Sequence, residues 1–294
     1  MKVLLLVNPS AGGGRARQVG RRAARILAGR GVSADLVESQ SAQHLTDLAS
    51  QAALEKNYDR ALVVGGDGTW HFALNGLAGT SLPGAVIPCG RGNDFRRNIR
   101  LPSRLDQALD VALDGKIKSL DLIWTGTRHY IGVGGLGFDS EVTECANTRF
   151  PFLGGTGAYS AAVLVKLFSF KPKRMKIVHD NGSFDDEVMF AVFGNSKSYG
   201  GGMKITPAAE MDDGLIDVVI VRKVGIPTLL RTMPLVFSGG HVRHPAILSL
   251  RTTRAEISSP DKMDLYGDGE FIAPAPVTLE IRPASLRVIV PPTV

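Results

Sequence analysis

Three glycine-rich segments of the chain combine backbone freedom with polar side chains in a way that suits phosphate chemistry. They are NPSAGGG at 8–14, GGDGT at 65–69 and CGRGND at 89–94. Glycine lets backbone N–H groups approach an anion closely, and a helix that begins after such a loop directs its positive end at the same anion. The segments therefore predict a site for a phosphorylated ligand. An ordinary turn stays open as an alternative for the first segment, since no Lys-Ser or Lys-Thr pair follows it.

An aspartate, Asp67, stands in the second segment, where a phosphate-binding loop usually has a lysine. A carboxylate beside a polyphosphate is useful if it acts through magnesium or on a hydroxyl proton, because direct contact with phosphate is repulsive. The alternative is that Asp67 forms an Asx-type turn and caps the helix that follows. The presence of the two other glycine-rich segments favours the catalytic interpretation of Asp67.

Alternating strands and helices must position these segments. Apolar runs predict strands at 2–8, 34–39, 60–66 and 84–90, and helical patterns predict helices at 15–29, 42–56, 69–78 and 103–113. Buried strands that alternate with helices are typical of a parallel sheet covered on both faces. Ligands of such sheets bind at the carboxyl ends of the strands, and all three glycine-rich segments lie at predicted strand ends.

The pattern changes after about residue 120. Short strand-like runs, separated by turn dipeptides such as Asn181-Gly182, predict an antiparallel sandwich or barrel. Helical patterns interrupt these runs at 155–169 and 226–237. The second part of the chain is therefore expected to be mainly β-structure.

Two domains are expected from the chain's 294 residues. The first is an α/β nucleotide-binding domain over 1–122, joined by the C-terminal segment 284–294. The second is a mainly antiparallel β-sandwich domain over 123–283, which is expected to bind the substrate. No apolar run approaches the roughly 20 residues of a membrane span. The two cysteines give neither a disulfide framework nor a metal-binding spacing.

Positive charge is clustered rather than spread evenly. The formal net charge is +6, and residues 15–30 carry six arginines without an acid. The segment 166–176 interleaves five cations with Phe168 and Phe170. Such clusters bind phosphates, nucleic acid or anionic lipid, and the chain has no nucleic-acid recognition module. Segment 166–176 is interpreted as a membrane-docking edge, with packing of its phenylalanines inside the second domain as an equal alternative.

The whole set of motifs resembles the diacylglycerol kinase catalytic domain family, bacterial lipid kinases related to sphingosine and NAD kinases. The resemblance covers nearly the whole chain. It is carried by VNPSAGGG at 7–14, GGDGT at 65–69 with Asn75-Gly76, PCGRGNDF at 88–95, YGGGMKITPAAEMDDGLIDVVIV at 199–221, HVRHP at 241–245 and GDGE at 267–270.

The resemblance implies an ATP- and magnesium-dependent kinase that phosphorylates a membrane lipid, with diacylglycerol converted to phosphatidic acid. It also implies a cytoplasmic enzyme at the inner face of the membrane, in peripheral contact with anionic lipid. A homodimer is among the oligomeric states left open.

The same resemblance assigns roles to residues of this chain. Glu270 is implied to be the general base, with Asp268 beside it and Asp67 completing an acidic cluster. Asp67 and Glu270 are then expected to meet across a cleft between the domains. Asp213, with carbonyls at the Glu210 and Leu215 positions, is implied to hold a structural magnesium ion. The implied ATP-binding set is Asn8, Pro9, Ser10, Gly12, Ser39, Gly65, Gly66, Asp67, Gly68, Thr69, Arg91, Asn93 and Asp94.

Three departures from the family pattern keep other functions open. His71-Phe72 replaces a common Asn-Glu pair, Arg91 a common threonine, and Gly132 an asparagine. A soluble NAD-kinase-like enzyme shares GGDGT and the two-domain layout, although GDGE and the 199–221 motif argue against it. A non-catalytic nucleotide- or lipid-binding regulator is the third hypothesis.

Overall fold

The chain folds, in this computed structural model, as two compact units. One unit contains residues 1–120 and 284–294, and the other contains residues 121–283. Each has its own apolar core. The structure describes residues 1–90, 92–150, 153, 155–167 and 169–292.

The first unit is built on a parallel sheet, as predicted. Its strands β1 (Lys2–Val7), β2 (Ser33–Glu38), β3 (Arg60–Gly65) and β4 (Gly84–Pro88) lie in the order β2-β1-β3-β4. After Lys2 every residue of β1 is buried, as expected for a strand covered on both faces. The last strand of the chain adds a parallel contact, between Val288 and Gly84.

Five helices belong to this unit. They are α1 (Arg15–Gly29), α2 (Ala42–Glu55), α3 (Asp67–Leu77), α4 (Asp94–Asn98) and α5 (Leu105–Asp114). Helix α1 buries Ala16, Gly20, Ala23 and Leu27 on one face. All six arginines at 15–30 are exposed, and Arg17 pairs with Glu38 at 2.9 Å. Part of the basic run at 15–30 is therefore the solvated face of a helix.

The unusual pair His71-Phe72 lies on α3, where the helix packs against α2. His71 is fully buried, and the Phe72 carbonyl accepts a hydrogen bond of 2.8 Å from the Thr46 hydroxyl. The two helices approach so closely that a Cβ atom on Gly76 would lie 2.8 Å from the Cβ of Ala49. The pair thus contributes to packing between these helices.

The second unit is antiparallel, also as predicted. Its strands are β5 (Lys116–Trp124, which starts in the first unit), β6 (His129–Tyr130), β7 (Val133–Gly137), β8 (Lys173–His179), β9 (Gly182–Gly194), β10 (Ile216–Arg222), β11 (Ile247–Thr252), β12 (Arg254–Ser258), β13 (Asp264–Gly267), β14 (Glu270–Pro274) and β15 (Val277–Val290, which ends in the first unit). The main order is β14-β13-β7-β9-β8-β12-β15, and β10 pairs with β9 and β11.

Helices cover part of this sheet. They are α6 (Phe138–Arg149), α7 (Gly155–Leu167), α8 (Ile226–Thr232) and two 3₁₀-helices at Met233–Phe237 and Gly240–Arg243. The single helix predicted over 226–237 is divided, because Pro234 cannot continue the α-helical hydrogen bonding. Among the described residues, no helix combines the length and the apolar character needed to cross a bilayer.

Candidate functional site

The three glycine-rich loops lie at the carboxyl edge of the first unit's sheet, after β1, β3 and β4. Asn8 joins the first two. Its Nδ2 donates to Thr69 Oγ1 at 3.1 Å, and its Oδ1 accepts from the Ser10 N–H at 3.1 Å. One side chain therefore shapes the first loop and ties it to the second.

The loops touch through their glycines. A Cβ atom on Gly66 would lie 3.0 Å from the Cα of Gly90, and one on Gly90 would lie 2.5 Å from the Cα of Gly66. Gly12 has a φ of +63°, and its Cβ would collide with the carbonyl oxygen of Cys89. These glycines are thus required by contact between the loops, whatever the loops bind.

Asp67 lies in the first turn of α3 and holds the third loop. Its Oδ1 accepts the backbone N–H of Phe95 at 3.1 Å, and a Cβ on Gly92 would lie 2.7 Å from its Oδ2. The N-cap of α3 is Gly66, which makes no side-chain cap. The capping alternative for Asp67 is therefore not what the structure shows, and the acid instead links α3 to α4.

The third loop is also fastened from within. Asn93 has a φ of +54°, and its side chain accepts from the Gly90 N–H at 3.2 Å and donates to the Gly90 carbonyl at 2.7 Å. Asp94 pairs with Arg97 at 2.6 Å. Arg91, predicted to contact phosphate, lies outside the described residues.

The remaining predicted nucleotide residues lie along the same edge. Ser39 is buried, and its N–H donates to the Val7 carbonyl at 2.8 Å, directly after β2. Pro9 follows Asn8, Gly65 ends β3, and Gly68 lies in the first turn of α3. Among the described members of the predicted set, all follow β1, β2, β3 or β4, or end β3.

In the second unit, GDGE forms the tight turn between β13 and β14. Asp268 and Gly269 occupy the turn with φ angles of +53° and +86°, and Glu270 begins β14. The carboxylate of Asp268 accepts the N–H groups of Ile131 at 3.0 Å and Gly132 at 2.8 Å. Asp268 therefore fixes the turn that presents the half-exposed Glu270.

The turn also explains the absence of a side chain at Gly132. A Cβ atom there would lie 2.6 Å from Asp268 Oδ1 and would displace the carboxylate. Glycine at this position, where the family pattern has asparagine, therefore leaves room for the Asp268 carboxylate.

We expect Asp268→Asn to lower the free energy of unfolding by about 1–3 kcal/mol, because an amide cannot accept both buried N–H groups and leaves one unpaired. Urea unfolding measures the change. The matched control is Asp264→Asn on the same hairpin, where the carboxylate has a weak ion pair of 3.9 Å with Lys262. Equal stability of the two variants would contradict the clamping role of Asp268.

A buried acid that the sequence did not single out lies in the second unit. Asp139 Oδ1 accepts hydrogen bonds from the hydroxyls of Tyr159, at 2.7 Å, and of Tyr199. Burial raises the pKa of Asp139, although the two hydroxyls oppose the shift. The three residues are distant in sequence, so no local pattern reveals them.

This cluster lines an apolar cavity of about 60 Å³. Most of its other walls are apolar side chains of α6, α7, α8, the first 3₁₀-helix, the sheet and the loop between β9 and β10: Phe138, Val163, Phe190, Met203, Ile205, Val221, Leu229, Met233 and Val236. This volume is well below the roughly 300–1,000 Å³ of ligand pockets, so the cavity by itself does not mark a ligand site.

The residues predicted to hold magnesium precede β10. Asp213 Oδ1 accepts the Leu215 N–H at 3.1 Å, and Glu210 pairs with Lys197 at 2.6 Å. Among the described residues no group of three or more His, Cys, Asp or Glu side chains could hold a metal. A cation here would depend on Asp213 and on backbone carbonyls.

Neighbouring charge fits a cation at this loop. Asp217 is buried, and its Oδ2 has no hydrogen-bond partner. Burial raises its pKa, Arg251 at 3.2 Å opposes the shift, and Asp213 and Glu210 add to it. The local excess of carboxylate charge is one that a cation would relieve.

The segment 166–176 was predicted either to dock on a membrane or to pack its phenylalanines inside the second domain. Phe170 is half-buried and packs edge-to-face on Phe138 at 5.3 Å, which favours the packing alternative for this side chain. Phe168 lies outside the described residues.

Two family models match different parts of the chain. Residues 2–125 match the diacylglycerol kinase catalytic domain, and residues 132–290 match the YegS C-terminal NAD kinase β-sandwich-like domain.

Individual relatives match along most of their length. A diacylglycerol kinase of Mycobacterium tuberculosis H37Rv is 35% identical over 99% of this chain and 95% of its own. A diacylglycerol kinase of Staphylococcus carnosus is 30% identical over 76% of this chain and 74% of its own. A crystal structure from Bacillus anthracis strain Sterne has a TM-score of 0.85 at 25% identity, covering 100% of this chain and 96% of that chain.

Proposed function

Because the chain belongs to the diacylglycerol kinase family of lipid kinases, we propose that it transfers the γ-phosphate of ATP to the free hydroxyl of diacylglycerol, giving phosphatidic acid. The observation that carries the proposal is the convergence of three glycine-rich loops at one edge of a parallel sheet. Relatives named as diacylglycerol kinases support the acceptor.

The first unit is assigned the nucleotide. Its loops offer backbone N–H groups to the phosphates, and Asn8 and Thr69 hold the first two loops together. Asp67 has a positioning role in this assignment, because it ties α3 to the third loop. Asn93 fixes the shape of that loop from within.

The second unit is assigned the lipid. Glu270 accepts the proton of the acceptor hydroxyl, whose oxygen forms a bond to the γ-phosphorus as the bond to the ADP oxygen breaks. Asp268 holds the turn that carries Glu270.

Magnesium, when bound with ATP, would neutralise charge on the phosphates, and Asp213 with the Glu210 and Leu215 carbonyls would hold a separate structural ion. Asp217 supports the second assignment, since its carboxylate is buried beside this loop and its Oδ2 has no hydrogen-bond partner. In this proposal the enzyme is cytoplasmic and meets the inner face of the membrane peripherally.

Radiolabelled ATP with mixed micelles of diacylglycerol, ceramide, monoacylglycerol or a prenol tests the function. We expect magnesium-dependent label in phosphatidic acid, abolished by EDTA. Label on NAD alone, without lipid, would favour the NAD-kinase-like alternative. Tight ATP binding in calorimetry without transfer to any acceptor would favour a regulator and contradict the proposal.

A further inference from the structure

The segment 226–237, formed by α8 and the first 3₁₀-helix, exposes large apolar side chains. Leu230 is 46% exposed, Leu235 45% and Phe237 52%. Three such side chains within eight residues are more than the scattered exposure that is normal on a protein surface. We call this segment the apolar surface segment.

The opposite face of the apolar surface segment is already used. Leu229 is buried and packs with Met233 against the core formed by α6 and α7. Leu229, Met233 and Val236 line the apolar cavity that contains Asp139. The exposed side chains are therefore not part of the packing within this unit.

Helix α7 continues the apolar character around the same cavity. Its Leu164 is 62% exposed and its Val165 41% exposed, while Tyr159 and Val163 line the cavity. Of the other exposed large apolar side chains in the described chain, Leu54 at 77% lies on α2 of the first unit.

The charges on the apolar surface segment and on α7 indicate which kind of partner these elements fit. Residues 226–247 contain no aspartate or glutamate, and neither does helix α7 over 155–167. Arg231 lies between the exposed leucines and is itself exposed. Apolar side chains with neighbouring cations and no acid are the pattern of an interfacial helix on anionic lipid.

We propose that the apolar surface segment, together with the exposed side of α7, docks this chain on an anionic lipid bilayer. Leu230, Leu235 and Phe237 enter the acyl region, and Arg231 meets the headgroups. The inference rests on the proposed function, since a diacylglycerol acceptor resides in the bilayer. It names a surface other than the 166–176 edge, where Phe170 packs on Phe138.

Vesicle flotation with phosphatidylcholine alone and with added phosphatidylglycerol tests the docking. We expect the full chain to bind the anionic vesicles more tightly, and added salt to weaken binding. The double variant Leu235→Ser/Phe237→Ser should bind about tenfold more weakly or worse, because two apolar side chains no longer leave water. Arg231→Gln should lose part of the preference for phosphatidylglycerol.

Leu54→Ser, at a leucine of the first unit that is more exposed than either tested side chain, is the control and should bind as the wild type does. Unchanged binding of the double variant overturns the proposal. A second result also overturns the proposal: light scattering shows that the double variant changes from dimer to monomer while it still binds vesicles. The segment would then be an interface with a second copy of the chain.

Phosphorylation of dioctanoylglycerol, a short-chain acceptor presented without a bilayer, separates this inference from the kinase activity. The double variant should keep the wild-type rate on that acceptor and lose rate on acceptor in vesicles. A wild-type chain that binds vesicles and phosphorylates no lipid contradicts the kinase proposal only. A wild-type chain that phosphorylates dioctanoylglycerol and ignores anionic vesicles contradicts the docking only.

Discussion

Glu270→Gln is expected to lower kcat for lipid phosphorylation by about two to four orders of magnitude, the usual effect of losing a general base. Glutamine has nearly the same shape as glutamate but cannot accept the proton of the acceptor hydroxyl. Glu270 begins β14 beside a turn fixed by Asp268, so the substitution leaves the hairpin in place. Steady-state rates with radiolabelled ATP and diacylglycerol micelles measure the loss.

Two further measurements separate loss of the base from loss of folding. The melting temperature and the Kd for ATP of the variant should match those of the wild type. The control is Glu256→Gln, on β12 of the same unit, where the carboxylate has a solvent-exposed ion pair of 2.8 Å with Arg254. A variant at Glu270 that keeps more than about a tenth of the wild-type rate would contradict its role as general base.

Much of the fold could be predicted because its elements are marked locally. Helix α1 was expected at 15–29 and is observed at Arg15–Gly29, since its apolar stripe is regular and glycines follow it. The helices that the sequence did not predict lack such local signals. Helix α4 has only five residues, and α6 shows little amphipathic pattern along FDSEVTECANTR. Tertiary contacts, rather than local sequence, must stabilise these two helices.

The candidate site also has a part that the sequence predicts and a part that it does not. Glycine-rich segments at strand ends predicted where the loops lie, because parallel strands bring their carboxyl ends together. The contacts between loops were not predictable, since Gly66 and Gly90 meet only in the folded sheet. The cluster of Asp139, Tyr159 and Tyr199 is likewise created by tertiary structure alone.

A substitution at one of these loop contacts should have the second large effect. Gly12→Ala is expected to weaken ATP binding by about tenfold or more, because the new Cβ collides with the Cys89 carbonyl and drives the first loop away from the third. The φ of +63° adds strain of about 1 kcal/mol for any side chain. Calorimetric titration with ATP measures the Kd.

A second glycine, Gly31, separates the effect of backbone strain from the effect of a steric collision between loops. Gly31 has a φ of +74° after α1, and a Cβ atom there would meet no atom within 4 Å. Gly31→Ala should therefore lower stability by a similar amount, about 1 kcal/mol, and leave the Kd for ATP unchanged. If both variants bind ATP as the wild type does, the first loop does not belong to the nucleotide site. If both weaken ATP binding equally, backbone strain rather than loop contact explains the loss.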